Sequence, residues 1–155
     1  MTVMNIKQAA ATFNLTADTL RYYERVGIIP PIPRNKSGYR DYQTKDLNWV
    51  YLVTRLRAAG LSIESLIEFA TLSQLRGQQP VEAAQKQVLK DQLAELEIKL
   101  AEMQEVKNLL TYKIETYDEH IAQFESGELT AENQEALWQK NFKQQEQYNE
   151  KNSIK

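Results

Sequence analysis

Residues 16–42 read Thr16-Ala17-Asp18-Thr19-Leu20-Arg21-Tyr22-Tyr23-Glu24-Arg25-Val26-Gly27-Ile28-Ile29-Pro30-Pro31-Ile32-Pro33-Arg34-Asn35-Lys36-Ser37-Gly38-Tyr39-Arg40-Asp41-Tyr42. Thr16 is a helix cap, because its hydroxyl can accept an orphan N–H of the first turn, and Asp18 follows where the helix dipole favours an acid. This predicts a helix over Ala17–Val26 with Leu20 and Tyr23 inward. Gly27 ends it, since glycine enters the left-handed conformation freely. Pro30, Pro31 and Pro33 cannot continue a helix, and Ile28-Ile29 is expected as a short apolar strand. Residues 34–38 form a polar turn and residues 39–42 alternate at period two. Together they predict a small hairpin, or wing, beside the helix.

The flanking segments read as further helices. Asn5 caps a short one, Ile6–Phe13, with Ile6, Ala9, Ala10 and Phe13 on one face. Asn14-Leu15 is a tight break, so the first two helices form a helix-turn-helix pair. Thr44 is expected to cap a third helix running to Ala59, with Asp46 in its first turn and Leu47, Val50, Tyr51, Val53, Thr54 and Leu56 as its buried stripe. Gly60 stops it. Ser62 starts another helix, Ile63–Leu75, carrying Leu66, Ile67, Phe69 and Ala70, and Gly77 with Pro80 closes this part of the chain.

Beyond Pro80 the pattern changes. Leu89, Leu93, Leu96, Leu100, Met103, Lys107, Leu110, Ile114, Tyr117, Ile121 and Phe124 follow spacings of four and three throughout, and only Lys107 is not apolar. That is the seam of a two-stranded coiled coil. It is too narrow to be the core face of a globular helix, and no other long helix in the chain could cover it. The expected partner is a second copy. Gly127 ends this helix, and Thr130 with Glu132 is expected to start a last short one bearing Leu137, Trp138 and Phe142.

The composition sharpens the division. The 155 residues carry a net charge of −2. Residues 1–80 hold 10 Lys+Arg against 6 Asp+Glu, a net of +4, and residues 81–155 hold 9 Lys against 15 Asp+Glu, a net of −6. A basic front suits a polyanion. There is no Cys, which excludes a disulfide scaffold, a thiolate metal site and a cysteine nucleophile, and one His, His120, which excludes sites built on several imidazoles. No apolar run reaches the ~20 residues needed to span a bilayer, and no signal-peptide core is visible near Met1. A cytoplasmic protein is the expectation. His120 reads as a helix-surface residue, the carboxylates as a solvated face, and no glycine-rich phosphate loop occurs. No catalytic residue, metal site or cofactor is expected.

The second helix and the wing carry the chemistry. Short donors at Thr16 and Thr19, with Arg21 and Tyr22 one turn on, suit insertion into the major groove. Arg34, Lys36 and Arg40, with Tyr39 and Tyr42, suit phosphate contact, and Arg55 and Arg57 extend the basic surface. At any single position the alternative is a core tyrosine or a merely solvated arginine. As a cluster, basic residues recur on every element of the front.

The run from Thr19 to Pro30, then Arg34, then Gly38-Tyr39-Arg40-Asp41-Tyr42, resembles the MerR family of bacterial transcription regulators. Leu56-Arg57-Ala58-Ala59-Gly60-Leu61-Ser62-Ile63-Glu64 is similar to that family's helix–Gly–helix joint, and the resemblance covers residues 4–75. It implies a mainly α protein. A winged helix-turn-helix DNA-binding domain would span residues 1–78, a long antiparallel coiled-coil dimerisation helix residues 79–126, and a C-terminal helix and polar tail residues 127–155. The implied function is a homodimeric regulator that binds promoter DNA with a long spacer. It would distort that DNA in response to an effector, and so act on RNA polymerase through the DNA. By position, Thr19, Arg21 and Tyr22 fall on the recognition helix and Arg34, Tyr39 and Arg40 on the wing, with Tyr42 and Arg57 near phosphates.

The effector is where this chain departs from several branches. The family's mercury, copper, zinc and redox-cluster sensors use cysteines near the ends of the coiled coil, and multidrug sensors carry a large extra domain, whereas 31 residues follow Phe124 here. Asp46-Leu47-Asn48-Trp49-Val50 resembles the aldehyde-sensing branch, but Arg55 stands where its reactive cysteine is expected. A non-metal small molecule remains, held by Phe124, Leu137, Trp138 and Phe142 near Tyr117, unless these aromatics simply close the end of the dimer. The alternative functional readings are an architectural or excisionase-like winged-helix protein without effector control, and a coiled-coil interaction protein that binds no DNA.

Overall fold

The computed structural model describes residues 3–143. It divides into two compact units, Met1–Leu96 and Glu97–Lys155.

In the first unit the chain runs β1 (Val3–Met4), α1 (Ile6–Thr12), α2 (Ala17–Val26), β2 (Tyr42–Gln43), α3 (Thr44–Ala58), α4 (Ile63–Gln74) and the start of α5 (Glu82–Ser126). Asn5 caps α1 through its side chain, and the α1–α2 turn passes through Asn14 at φ 54°, a left-handed conformation that asparagine tolerates. Thr16 caps α2 and Gly27 ends it at φ 82°, as expected. The core joins Ala9, Ala10, Leu20, Ile28, Ile29, Ile32, Tyr42, Val50, Val53 and Leu66, so α1, α2, the wing base, α3 and α4 share one apolar centre.

Several local expectations are corrected. Ile28-Ile29 is no strand. Both backbone N–H groups donate to the Tyr23 carbonyl, at 3.0 and 3.4 Å, which ties them into the end of α2 and leaves no ladder donors. The strand partner of Tyr42–Gln43 is instead Val3–Met4, antiparallel, and the wing itself closes through one bridge between Arg34 and Arg40. Thr44 is the first residue of α3 rather than its cap. The cap is Gln43, whose N–H is taken by the buried Asp46 carboxylate at 2.9 Å. Tyr51 is exposed, with Arg55 over its ring, because it faces away from α3's buried side.

The early part of α5 belongs to this unit. Val81, Gln85, Val88 and Gln92 are buried. Gln85 donates to the Phe69 carbonyl and accepts from Arg76, so α5 is joined by a polar clasp to α4 and the residue just beyond it.

In the second unit α5 continues to Ser126, and Gly127 (φ 81°) reverses the chain. The helix expected from Thr130 is absent. The Thr130 N–H is taken by the Asn133 side chain, and among the described residues a 3-10 turn, Leu137–Gln139, is the helical element that follows. The returning segment is pinned to α5. Lys140 lies 2.6 Å from Glu135, 2.9 Å from the Tyr112 hydroxyl and 4.1 Å from its ring centre; Tyr112 donates to Glu135, and Asn108 to the Phe142 carbonyl. Glu105, Asn108 and Tyr112 lie about 180° round the helix from Met103, Lys107, Leu110 and Ile114, at 100° per residue. The return therefore covers the face opposite the seam. Among the described residues no helix is long and apolar enough to cross a membrane.

Candidate nucleic-acid interface

The wing is built by its own turn chemistry. The Asn35 side chain accepts from the N–H groups of Ser37 and Tyr39, at 3.0 and 3.1 Å, and its backbone N–H donates to the Tyr39 carbonyl at 2.8 Å. Gly38 takes φ 84°, which the tight reversal requires. Arg34 donates to the Gly38 carbonyl at 2.8 Å, and Asp41 N–H to the Pro33 carbonyl at 2.8 Å. Tyr39 and Lys36 are left exposed at the tip.

A groove of about 550 Å³ runs between the start of α1, the outer face of α2 and the wing. It is lined by Asn5, Ile6, Lys7, Arg21, Arg34, Asn35, Tyr39 and Arg40. Four cations border one concave surface, and although Arg21 and Arg40 are each paired with an acid, the positive charge of this surface suits a polyanion. Three of the four, Arg21, Arg34 and Arg40, were legible as DNA-contact candidates. Lys7 was not: it lies on α1, which reads as a packing helix, and only its place in the first turn, two residues after the Asn5 cap, could have flagged it.

The other candidates separate. Thr16 and Thr19 face one another, hydroxyls 2.9 Å apart, and the Thr19 N–H donates to the Thr16 hydroxyl at 3.0 Å, so both serve the cap while standing at the front of α2. Arg21 is held to exposed Asp18 at 2.7 Å. Tyr22 is exposed, with the Arg25 guanidinium 5.5 Å over its ring. Arg57 closes the end of α3 by donating to the Leu61 carbonyl at 3.0 Å and remains exposed outside the groove.

Two readings change. Tyr42 is 0% exposed and sits in the core, so it presents no atom to a phosphate. Burial holds its hydroxyl above the usual tyrosine pKa, opposed in part by Arg40, and that hydroxyl has no hydrogen-bond partner among the described residues. Burial increases from exposed Tyr39 through Arg40 and Asp41 to Tyr42 instead of alternating, so Tyr42 is a packing residue. Arg40 is not a free surface cation: its Nε lies 2.6 Å from Glu24 Oε1, with both side chains mostly buried. It lines the groove with only part of its guanidinium available.

In the second unit the expected effector residues split. Phe124 and Leu137 line a cavity of about 380 Å³ with Lys113, Tyr117, His120, Ile121, Leu129 and Glu135. Trp138 and Phe142 do not line that cavity; they border a second groove beside Val106 and Leu109, which Leu137 also lines, and Trp138 is 85% exposed. No three His, Asp or Glu side chains converge on a metal-sized site among the described residues.

The seam residues stand out from α5 as an apolar series. Leu89, Leu93, Leu100, Met103, Leu110, Ile114, Tyr117, Ile121 and Phe124 are all exposed, and Leu96 is half-buried.

Comparisons with known proteins agree with this geometry. The family model described as MerR HTH family regulatory protein matches residues 4–71. The HTH-type transcriptional regulator AdhR of Bacillus subtilis (strain 168) is 54% identical over 89 residues, a match that spans 57% of this chain and 62% of that relative. A crystal structure from Listeria monocytogenes, assigned to the MerR family transcriptional regulators, is 41% identical with TM-score 0.71, covering 84% of this chain and 99% of its own. HiNmlR, described as a MerR family regulator lacking the sensor domain and bound to promoter DNA, is 26% identical with TM-score 0.68 over 78% of this chain and 94% of its own. These relatives are regulators, not enzymes.

Proposed function

This chain belongs to the MerR family of helix-turn-helix transcription regulators, and we propose that it works as a cytoplasmic homodimer that regulates a promoter by deforming its DNA. The observation that carries this reading is the groove between α2 and the wing, with Lys7, Arg21, Arg34 and Arg40 around one concave surface. Its width and charge suit a DNA backbone running between a helix seated in the major groove and a wing on the flanking phosphates. Thr16, Thr19 and Tyr22 at the exposed front of α2 are placed for base edges. Arg34, Lys36, Tyr39 and Arg57 are placed for backbone contact.

The seam supports pairing with a second copy. Isolated apolar residues on a surface are ordinary, but a series at heptad spacing is not. An antiparallel pair is the arrangement that the family resemblance implies, and it would carry the apolar series of one copy along that of the other. Two DNA-binding units at opposite ends of such a pair would straddle a two-fold operator, and a promoter with a long spacer would be read through its deformability. Polymerase is then engaged through the DNA. The 380 Å³ cavity beside Phe124 and Leu137 has the size and mixed lining of a small-molecule site, which supports a small-molecule effector binding in this unit. Gel-shift titration of a duplex from the gene's own upstream region tests the reading. It should bind well above a random duplex of equal length, and equal affinity would leave only an architectural role.

A further inference from the structure

The Glu24 side chain reaches into the contacts holding α2 to the wing. Its two carboxylate oxygens are both engaged. Oε1 accepts from Arg40 Nε at 2.6 Å, and Oε2 accepts from the Ile32 backbone N–H at 3.1 Å. Ile32 lies between Pro31 and Pro33, and Pro30 precedes them, so Ile32 carries the only backbone donor of that four-residue run. Arg40 lies on the returning arm of the wing, bridged to Arg34. One side chain from the recognition helix therefore grips both arms, at bonds that are charge-assisted and largely shielded from water, with 16% of the Glu24 side chain exposed.

This placement has an electrostatic cost. A carboxylate beside a groove of four cations weakens attraction for phosphate, and it occupies part of Arg40. A residue selected for affinity alone would not be acidic here. We infer that Glu24 is a positioning residue that fixes the wing against α2, favouring the operator over other DNA at the expense of overall DNA affinity. The inference rests on the promoter-binding reading above.

Substitutions separate charge from position. Glu24→Gln keeps an acceptor for Ile32 but removes the charge that holds Arg40. Glu24→Asp keeps the charge but falls one methylene short of both partners. In the full chain, affinities for the upstream duplex and for a random duplex are measured together with the thermal midpoint. For Glu24→Gln, affinity for the random duplex should rise about twofold to fivefold through the lost repulsion. The ratio of upstream to random affinity should fall about tenfold, the scale of one spoiled base contact. For Glu24→Asp the ratio should fall with no rise in random affinity. If Glu24→Gln raises both affinities equally, Glu24 is only a repelling charge and the inference is overturned. If both affinities fall in step with the thermal midpoint in both variants, the role is merely structural and the inference is likewise overturned. If the unmodified protein does not discriminate between the duplexes, the promoter reading itself fails, an outcome visible before any variant is made.

Discussion

Gln92 and Leu93, adjacent on α5, have inverted environments: the Gln92 amide is buried with neither of its polar atoms partnered among the described residues, while Leu93 is 56% exposed. The heptad pattern explains the leucine, which belongs to the seam. The glutamine lies one residue off the seam, on the side that packs into the first unit along with Val81, Gln85 and Val88. Gln85, seven residues earlier, finds Phe69 and Arg76; Gln92 finds neither.

A buried amide without partners is costly, and an apolar side chain of similar length removes that cost. Gln92→Met should raise stability by about 1–2 kcal/mol. Urea titration of the full chain measures this. A loss of stability would mean that the amide has a partner, as it would if a second copy supplied one.

Tyr42→Phe removes a buried hydroxyl that makes no hydrogen bond among the described residues and leaves the ring's packing intact. Stability should be unchanged or higher by up to about 1 kcal/mol, with the affinity for promoter DNA unchanged. A tenfold loss of affinity at constant stability would return Tyr42 to the DNA interface.

The Glu135–Lys140–Tyr112 cluster makes the returning segment sensitive to acid. Hydrogen bonds from Lys140 and Tyr112 hold the Glu135 carboxyl below its ordinary pKa, and the bond to Glu135 holds Lys140 above its own. A depressed carboxyl stabilises the docked segment at pH values above its ordinary value of 4.5 and loses that contribution as pH falls through the depressed one. Lys140 contributes below its ordinary 10.5 and loses its effect only above that. Protection of the amides of residues 134–143, taken relative to the intrinsic exchange rate at each pH, should therefore be constant near neutrality and fall below about pH 4. Glu135→Gln should show the lowered protection already at pH 7.

The exposed seam predicts its own failure. Leu100→Lys with Ile114→Lys places two further charges among apolar layers and should convert a dimer into a monomer by sedimentation, with helicity in the first unit retained. A dimer that persists would move the interface elsewhere.

Much of this architecture was legible because local chemistry and global fold agree. Thr16 with Gly27 bounded α2, the three prolines forced the wing, and the four-three spacing revealed the seam. What escaped depended on distant partners. Periodicity gave no sign that Val3–Met4 pairs with Tyr42–Gln43, since two residues carry no pattern. Tyr39 and Tyr42 read alike as phosphate-contact candidates, because nothing local shows that only Tyr42 meets the core. Arg40 read as a surface cation because its partner, Glu24, is sixteen residues away. Thr130 looked like a helix cap, but Asn133 captures its N–H from a turn and the chain reverses.

In the proposed dimer two copies, joined along α5, present two α2–wing units to one promoter. Footprinting of the gene's own upstream region tests it most directly. Two protected half-sites related by a dyad should appear, centred about ten base pairs or a multiple of that apart. Both should vanish together in Arg21→Ala and in the Leu100→Lys, Ile114→Lys variant. A single protected half-site, or a footprint unaffected by the seam substitutions, would contradict the account.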